Sequence, residues 1–169
     1  MIWRNFMFNP LRSFYSVITL LLITVSSQSF AQKAPDFSLN GDKGKIQLSN
    51  YKNKVVYVDF WASWCKPCQK SFSFMNDMQS RYGKKGFEII AINLDSDRPA
   101  AKKFLKKNPA KFKIAYDPEG KTPDMYKLKV MPTSYLIDRR GNLVNVHKGF
   151  KDNQKNQLEK TIVQALNKK

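Results

Sequence analysis

The sequence predicts an α/β domain in which a mixed β-sheet is flanked by helices. Three observations support this prediction. Runs rich in β-branched and aromatic residues alternate with runs of helical periodicity. Two short predicted strands joined by turn residues lie near the end of the chain. The 169 residues, 42% of them apolar, suffice for one buried core. The expected order is β-α-β-α-β-α-β-β-α after an N-terminal β-hairpin.

Residues 1–31 have the pattern of a secretory signal peptide. Two arginines precede a mostly apolar run of about a dozen residues at 14–25, and Ser29 and Ala31 place small side chains before a cleavage site. The alternative is an uncleaved membrane anchor, although the run is shorter than the roughly 20 residues that a spanning helix needs. We therefore expect residues 32–169 to form the mature domain and to act in the periplasm or its equivalent.

The elements before the cysteines are predicted from turn residues and apolar runs. Residues 32–54 are polar and turn-rich between two short apolar segments, which indicates a hairpin laid against the domain. Residues 55–61 are apolar except for Asp59, which indicates a central strand buried on both faces. A helix should begin near Pro67, because proline is favoured in a first helical turn, and should end at Gly83.

The later elements follow from the same periodicities. They are strands at 87–94, 112–116, 133–137 and 143–147, and helices at 98–107, 122–128 and 154–166. The last two strands are separated by five residues that contain Gly141 and Asn142, which is typical of a hairpin turn.

Cys65 and Cys68 are the only cysteines of the chain. A bridge between them would enclose two residues and remove little chain entropy, so a purely structural disulfide is not favoured. A Cys-x-x-Cys pair between a strand and a helix is instead typical of a thioredoxin-like fold. The alternative is a zinc site, but structural zinc takes four ligands and the chain adds only His147, for which we expect no metal role.

Thiol–disulfide exchange gives the two cysteines different roles. Cys65 would lie just before the helix, where the helix N-terminus and the charge of Lys66 stabilise a thiolate, so it is the predicted nucleophile. Cys68, one turn into the helix, is the predicted resolving thiol. Trp61 and Trp64 are expected to shield the site and to offer an apolar edge to a client, and Pro67 to modulate it.

Asp59 is the candidate proton acceptor of the site. A carboxylate in an apolar strand is costly unless it is paired or protonated, which raises its pKa. Such a group near a thiol is suited to take its proton, and we assign it to Cys68. The alternative is an aspartate that only accepts hydrogen bonds from the backbone.

The chain is strongly basic, with a formal net charge of +17. Nucleic acid is not an expected partner, because the predicted export signal places the protein outside the cytoplasm. Three interpretations stay open: a lysine-rich solvated surface without a specific partner, weak association with an anionic membrane surface, and attraction to acidic client proteins.

The sequence resembles the TlpA/ResA-like thiol–disulfide oxidoreductases of the thioredoxin superfamily. The resemblance runs from Ala34 to about Gln164. The motifs that carry it are Ala-Pro-Asp-Phe at 34–37, Val-Asp-Phe-Trp-Ala-Ser-Trp-Cys-Lys-Pro-Cys at 58–68, Met-Pro-Thr at 131–133, and Tyr-Leu-Ile-Asp at 135–138 followed by Gly141.

This resemblance implies an exported enzyme that exchanges its dithiol with cysteines of client proteins. We expect a monomer that needs no cofactor. Members commonly reduce client disulfides, including those of apocytochrome c, with electrons from a membrane thiol transporter of the DsbD/CcdA type. The family's proline at Pro132 is cis, and with Trp64, Met131 and Thr133 it would form the client groove. The stretch 87–116 corresponds to the family's central βα insert.

Two positions depart from the related patterns. Thioredoxin pairs the aspartate that matches Asp59 with a lysine on the next strand, and the matching position here is expected to be Ile92, so Asp59 would lack a cationic partner. Lys66 is uncommon between the cysteines and should make the disulfide more oxidising.

A different class of function remains as an alternative. An exported Cys-x-x-Cys pair can bind Cu(I), because soft thiolates select it. The copper-delivery relatives on this fold use a wider cysteine spacing and a matching histidine, whereas His147 lies in a late strand. A basic binding module with a vestigial redox pair is a weaker alternative still.

Overall fold

The computed structural model describes residues 32–168. The predicted signal peptide and its cleavage site lie outside these residues. Among the helices that are described, none combines the length and the apolar character needed to cross a membrane.

Seven strands form one mixed sheet. They are β1 (Ser38–Gly41), β2 (Gly44–Gln47), β3 (Val55–Trp61), β4 (Phe87–Asn93), β5 (Lys113–Tyr116), β6 (Thr133–Ile137) and β7 (Leu143–Lys148). Their order in the sheet is β2-β1-β5-β4-β3-β6-β7. β3, β4 and β5 are parallel, whereas β6 pairs antiparallel with both β3 and β7. The predicted mixed sheet is confirmed.

The predicted N-terminal hairpin is confirmed, and the structure shows where it joins the domain: β1 pairs antiparallel with β5 and extends the sheet at one edge. The turn residues revealed the hairpin, but the strand that receives it depends on which edge is free in the folded sheet. The C-terminal hairpin, β6 and β7, forms the other edge.

Four α-helices connect and cover the strands. They are α1 (Lys66–Tyr82), α2 (Arg98–Lys107), α3 (Lys121–Met125) and α4 (Lys155–Asn167). α3 ends earlier than predicted, and Lys127 beyond it adopts a positive φ of 53°, which a continuing helix cannot include. The other helix boundaries agree with prediction to within one residue.

β3 separates two apolar cores, because successive side chains of a strand point to opposite faces. All seven of its residues are buried. Tyr57 and Trp61 belong to the core that also contains side chains of α1, α2 and α4, which we call the α1 face. Val58 and Phe60 belong to the core formed with Tyr126, which follows α3, and the N-terminal segment. Asp59 therefore points toward the α1 face, which also holds both cysteines.

Candidate active site

A disulfide joins Cys65 and Cys68 where β3 leads into α1. Cys65 is the N-cap of α1, and Pro67 occupies its first turn. The backbone N–H of Cys65 donates to the carbonyl of Ala62, and that of Cys68 to the carbonyl of Cys65, each at 3.1 Å. Cys65 retains 5% exposure, whereas Cys68 is fully buried. The N-terminus of α1 thus faces the more accessible sulfur, where its dipole favours negative charge.

The two tryptophans near the dithiol have opposite environments. Trp64 is 68% exposed, and Lys66 and Pro67 beside it are exposed as well. Trp61 is fully buried and packs against Phe72 and Phe104, with ring centroids 5.0 and 4.9 Å away. The expectation that Trp61 offers an edge to a client is therefore wrong, because alternation along β3 turns its ring into the core.

Asp95 holds the loop before Cys65, a role that the sequence did not reveal. Its carboxylate accepts hydrogen bonds from the backbone N–H of Ser63, at 2.9 Å to Oδ2, and from the Ser63 hydroxyl, at 2.9 Å to Oδ1. The side-chain amide of Asn93 also donates to Asp95 Oδ2 at 2.7 Å. Because Asp95 is buried, these bonds fix the end of β4 to the dithiol loop.

Asp59 is 2% exposed, and its Oδ2 is buried without a hydrogen-bond partner. Burial raises its pKa well above the usual range, because the ionised form loses hydration. Its neighbour on β4 is Ala91, not the expected Ile92, which instead pairs with Phe60. A one-residue shift in register moves a side chain to the other face. An apolar residue still occupies the position, so β4 supplies no cation.

The predicted loop at 131–133 adjoins the start of β6. The Met131–Pro132 peptide is cis, as the resemblance implied. Met131 is partly buried against the core of the α1 face. Thr133 is buried, and its hydroxyl donates to the carbonyl of Val130 at 2.7 Å, so its side chain stabilises the loop. The carbonyl of Pro132 accepts a bond from the Gly149 N–H at 2.7 Å, which ties this loop to the end of β7.

His147 lies on β7 opposite Ser134. It is partly exposed, but its Nε2 is buried without a hydrogen-bond partner, and burial lowers the pKa of the imidazole. Among residues 32–168 there is no cluster of three or more His, Cys, Asp or Glu side chains that could hold a metal ion.

Three functional candidates escaped sequence analysis or were set aside by it: Asp95, Ser134 and His147. Asp95 had one usable signal, since a carboxylate two residues beyond a buried strand lies near the ends of its parallel neighbours. Ser134 and His147 had none, because their environment depends on the pairing of β6 with β3 and β7.

Comparisons with known proteins identify the family. Residues 30–162 match the sequence profile of the Redoxin family. A thiol-disulfide oxidoreductase ResA of Bacillus thuringiensis is 39% identical over 132 residues, which are 78% of this chain and 75% of the relative. The ResA of Bacillus subtilis is 32% identical over 136 residues, which are 80% of this chain and 76% of the relative.

Solved structures give the same result. A crystal structure named as a thiol:disulfide interchange protein DsbE from Chlorobium tepidum has a TM-score of 0.79 and 51% identity, covering 80% of this chain and 96% of that one. The exposed lipoprotein thioredoxin Etrx1 of Streptococcus pneumoniae has a TM-score of 0.68 and 30% identity, covering 77% and 99%. The chain therefore belongs to the redoxin family, and within it to the ResA-like thiol–disulfide oxidoreductases of thioredoxin fold.

Proposed function

We propose that this oxidoreductase is an exported reductant that transfers two electrons from the Cys65–Cys68 dithiol to disulfides of client proteins. Apocytochrome c before haem attachment is one client class, and misoxidised exported proteins are the other. The observation that carries the proposal is the asymmetry of the pair: Cys65 caps α1 and reaches the surface, while Cys68 is fully buried one turn later.

The first step is attack by the Cys65 thiolate on a client disulfide. A bond forms between Cys65 Sγ and one client sulfur, and the second client sulfur leaves as a thiolate. The unpaired amides at the N-terminus of α1 and the charge of Lys66 stabilise the attacking thiolate. Cys68 does not compete for the client disulfide, because it has no exposed surface.

The second step is resolution by Cys68. Its thiol loses a proton, its sulfur attacks Cys65 Sγ, and the client leaves with both of its sulfurs reduced. We assign the proton to Asp59, which is buried on the same face and has a raised pKa. A carboxylate with a raised pKa can accept a proton during the step and return it afterwards.

The client surface is assigned to Trp64, Met131, Pro132 and Thr133. Trp64 supplies an exposed aromatic face beside Cys65, and aromatic residues are common anchors of interfaces. Thr133 would contribute through its backbone, since its hydroxyl already donates to Val130. Val130, also exposed, extends the apolar area next to this loop.

The remaining assignments concern cellular context. The signal-peptide pattern at 1–31 supports a periplasmic location, with an uncleaved anchor as the alternative. A membrane thiol donor of the DsbD/CcdA type would re-reduce the disulfide. The enzyme would act as a monomer, and its strong basic charge, +17 for the full chain, would favour weak contact with anionic lipid.

Reduction of insulin disulfides by the reduced protein tests the proposal. The full chain should reduce insulin stoichiometrically, and Cys65→Ser should abolish the reaction, while Lys70→Ser in the same helix leaves it unchanged. Activity that survives in Cys65→Ser would contradict the mechanism. A reduction potential well above that of cellular dithiol donors would make the protein an oxidant instead. Tight Cu(I) binding without thiol exchange would favour the copper-handling alternative.

A further inference from the structure

Three polar side chains lie side by side across three strands on the α1 face. Asp59 of β3 pairs with Ser134 of β6, and Ser134 pairs with His147 of β7. Directly opposed residues of antiparallel strands project from the same face, with Cβ atoms about 5 Å apart. Asp59, Ser134 and His147 therefore form one line, which we call the polar row.

The polar row is close to the dithiol and to the loop of Pro132. Asp59 precedes Trp61 by two residues on β3, and Cys68 is buried in the core that this face borders. Ser134 follows Pro132 by two residues, and Gly149, two residues after His147, donates to the Pro132 carbonyl. A proton that leaves Cys68 toward Asp59 thus enters one end of the polar row, and the partly exposed His147 is its other end.

The polar row has unused hydrogen-bonding capacity at both ends. Asp59 Oδ2 and His147 Nε2 are two of only three buried side-chain nitrogen or oxygen atoms without a partner in the described part of the chain. Buried polar atoms of native proteins are nearly always paired. Between them, the Ser134 hydroxyl shares a 2.5 Å hydrogen bond with the Tyr57 hydroxyl. The Ser134 hydroxyl bonds neither to Asp59 Oδ2 nor to His147 Nε2 in this structure. Because a hydroxyl both donates and accepts, its rotation away from Tyr57 would let it connect the two.

The ionisable groups around the polar row determine whether Asp59 and His147 can affect each other's pKa. Tyr57, which bonds to Ser134, is an ionisable group of this face, and its pKa is raised by burial and then by the charge of Asp59. Ala91 opposite Asp59 is uncharged, and the buried side chains that α1 and α4 contribute here carry no charge. Burial alone raises the pKa of Asp59 and lowers that of His147.

We propose that the polar row is a proton path in which His147 exchanges protons between Asp59 and solvent during the redox cycle. This inference rests on the proposed role of Asp59. In resolution, Cys68 loses a proton to the Asp59 carboxylate. The proton passes through the Ser134 hydroxyl to neutral His147, and the imidazolium releases it to water. No electrons move along the path, and re-reduction of the disulfide reverses it. His147 touches no reacting sulfur, so it is a positioning residue that acts through Asp59.

Because His147 is the single histidine of the chain, its titration can be followed by NMR without client or electron donor. Asp59→Asn should lower the midpoint of the His147 titration by about one pH unit, as expected for charges on the order of 10 Å apart at an effective dielectric near 20. Ser134→Ala should preserve this electrostatic effect. The matched control Lys148→Gln removes an exposed neighbouring charge and should raise the midpoint by no more than a few tenths.

Kinetics distinguish a proton path from mere proximity. The pH profile of the resolving step should change shape in His147→Gln and in Ser134→Ala, and should keep its shape in Lys148→Gln. An unchanged midpoint of the His147 titration in Asp59→Asn would overturn the proposal. The proposal would also be overturned if that midpoint changes but the pH profiles of the resolving step in His147→Gln and Ser134→Ala superimpose on that of the wild type. Failure of the wild-type protein to reduce clients would count against the proposed function alone, because the titrations require no client.

Discussion

The dithiol loop, residues 62–68, and the polar row on the neighbouring strands satisfy their polar groups in opposite ways. In the loop, Ser63 and Cys65 donate to Asp95 and Ala62, so the chain before the disulfide is fixed. In the polar row, Asp59 and His147 each leave a buried atom unpaired. This contrast is what we expect if the loop maintains one geometry and the row, as proposed, accommodates changes of protonation.

The largest expected effect is on the free energy of unfolding, and it distinguishes buried Trp61 from Trp64 in the dithiol loop. Trp61→Ala should lower the free energy of unfolding by about 3–5 kcal/mol, because it removes a fully buried indole that packs against Phe72 and Phe104. Trp64→Ala should change it by less than about 0.5 kcal/mol and weaken client binding instead. Urea denaturation and a client-binding assay measure both. Equal losses of stability in Trp61→Ala and Trp64→Ala would show that the Trp64 side chain of the loop belongs to the core as well.

Asp59→Asn tests the row at the resolving step. Removing a positioned proton acceptor typically costs at least about 10²-fold in rate. We expect the mixed disulfide to form at the wild-type rate and to resolve about 100-fold more slowly near neutral pH, as followed by rapid quenching. Slowed formation with normal resolution would assign Asp59 to Cys65 rather than to Cys68.

The same substitution should stabilise the folded protein. Because the pKa of Asp59 is raised in the folded state, the native protein binds its proton more tightly than the unfolded chain does. Its contribution to stability is full at pH values below about 4 and falls by about 1.4 kcal/mol per pH unit until the folded pKa is passed. The difference between wild type and Asp59→Asn should follow this slope in denaturation across pH. A flat difference would mean that folding does not shift the pKa of Asp59.

Asp95→Ala tests whether the Asp95 carboxylate fixes the dithiol loop. It removes a buried carboxylate that accepts three donors of Ser63 and Asn93, so we expect a loss of about 2 kcal/mol in unfolding free energy and slower attack by Cys65. The exposed Ser96→Ala, at the next residue, is the matched control and should change neither quantity. If Asp95→Ala changes neither the free energy of unfolding nor the rate of attack by Cys65, the positioning role of Asp95 is refuted.

The smallest effect is expected at Lys66. Its exposed ammonium stabilises the reduced thiolate only weakly, by about 0.5 kcal/mol, so Lys66→Ala should lower the reduction potential by about 10 mV. Equilibration with glutathione measures this change, and Lys70→Ala, one turn further along α1, should show none. A higher reduction potential in Lys66→Ala would contradict the predicted stabilisation of the thiolate by Lys66.

Sequence reasoning succeeded for features encoded by local pattern. The strand 55–61, the helix that begins beside Pro67, and the placement of the cysteines at its start follow from apolar runs, proline preference and spacing. It failed where residues distant in sequence meet. The Asp95–Ser63 contact spans 32 residues, the neighbour of Asp59 was wrong by one position of register, and the edge that receives β1 depends on the completed sheet.

The central claim is that Cys65 attacks and Cys68 resolves. Incubating reduced Cys68→Ala and, in parallel, reduced Cys65→Ala with a disulfide-containing client, followed by non-reducing electrophoresis and mass spectrometry, tests it most directly. We predict a stable mixed disulfide on Cys65 in the Cys68→Ala variant and none in the Cys65→Ala variant. A mixed disulfide that accumulates on Cys68 instead would contradict the account.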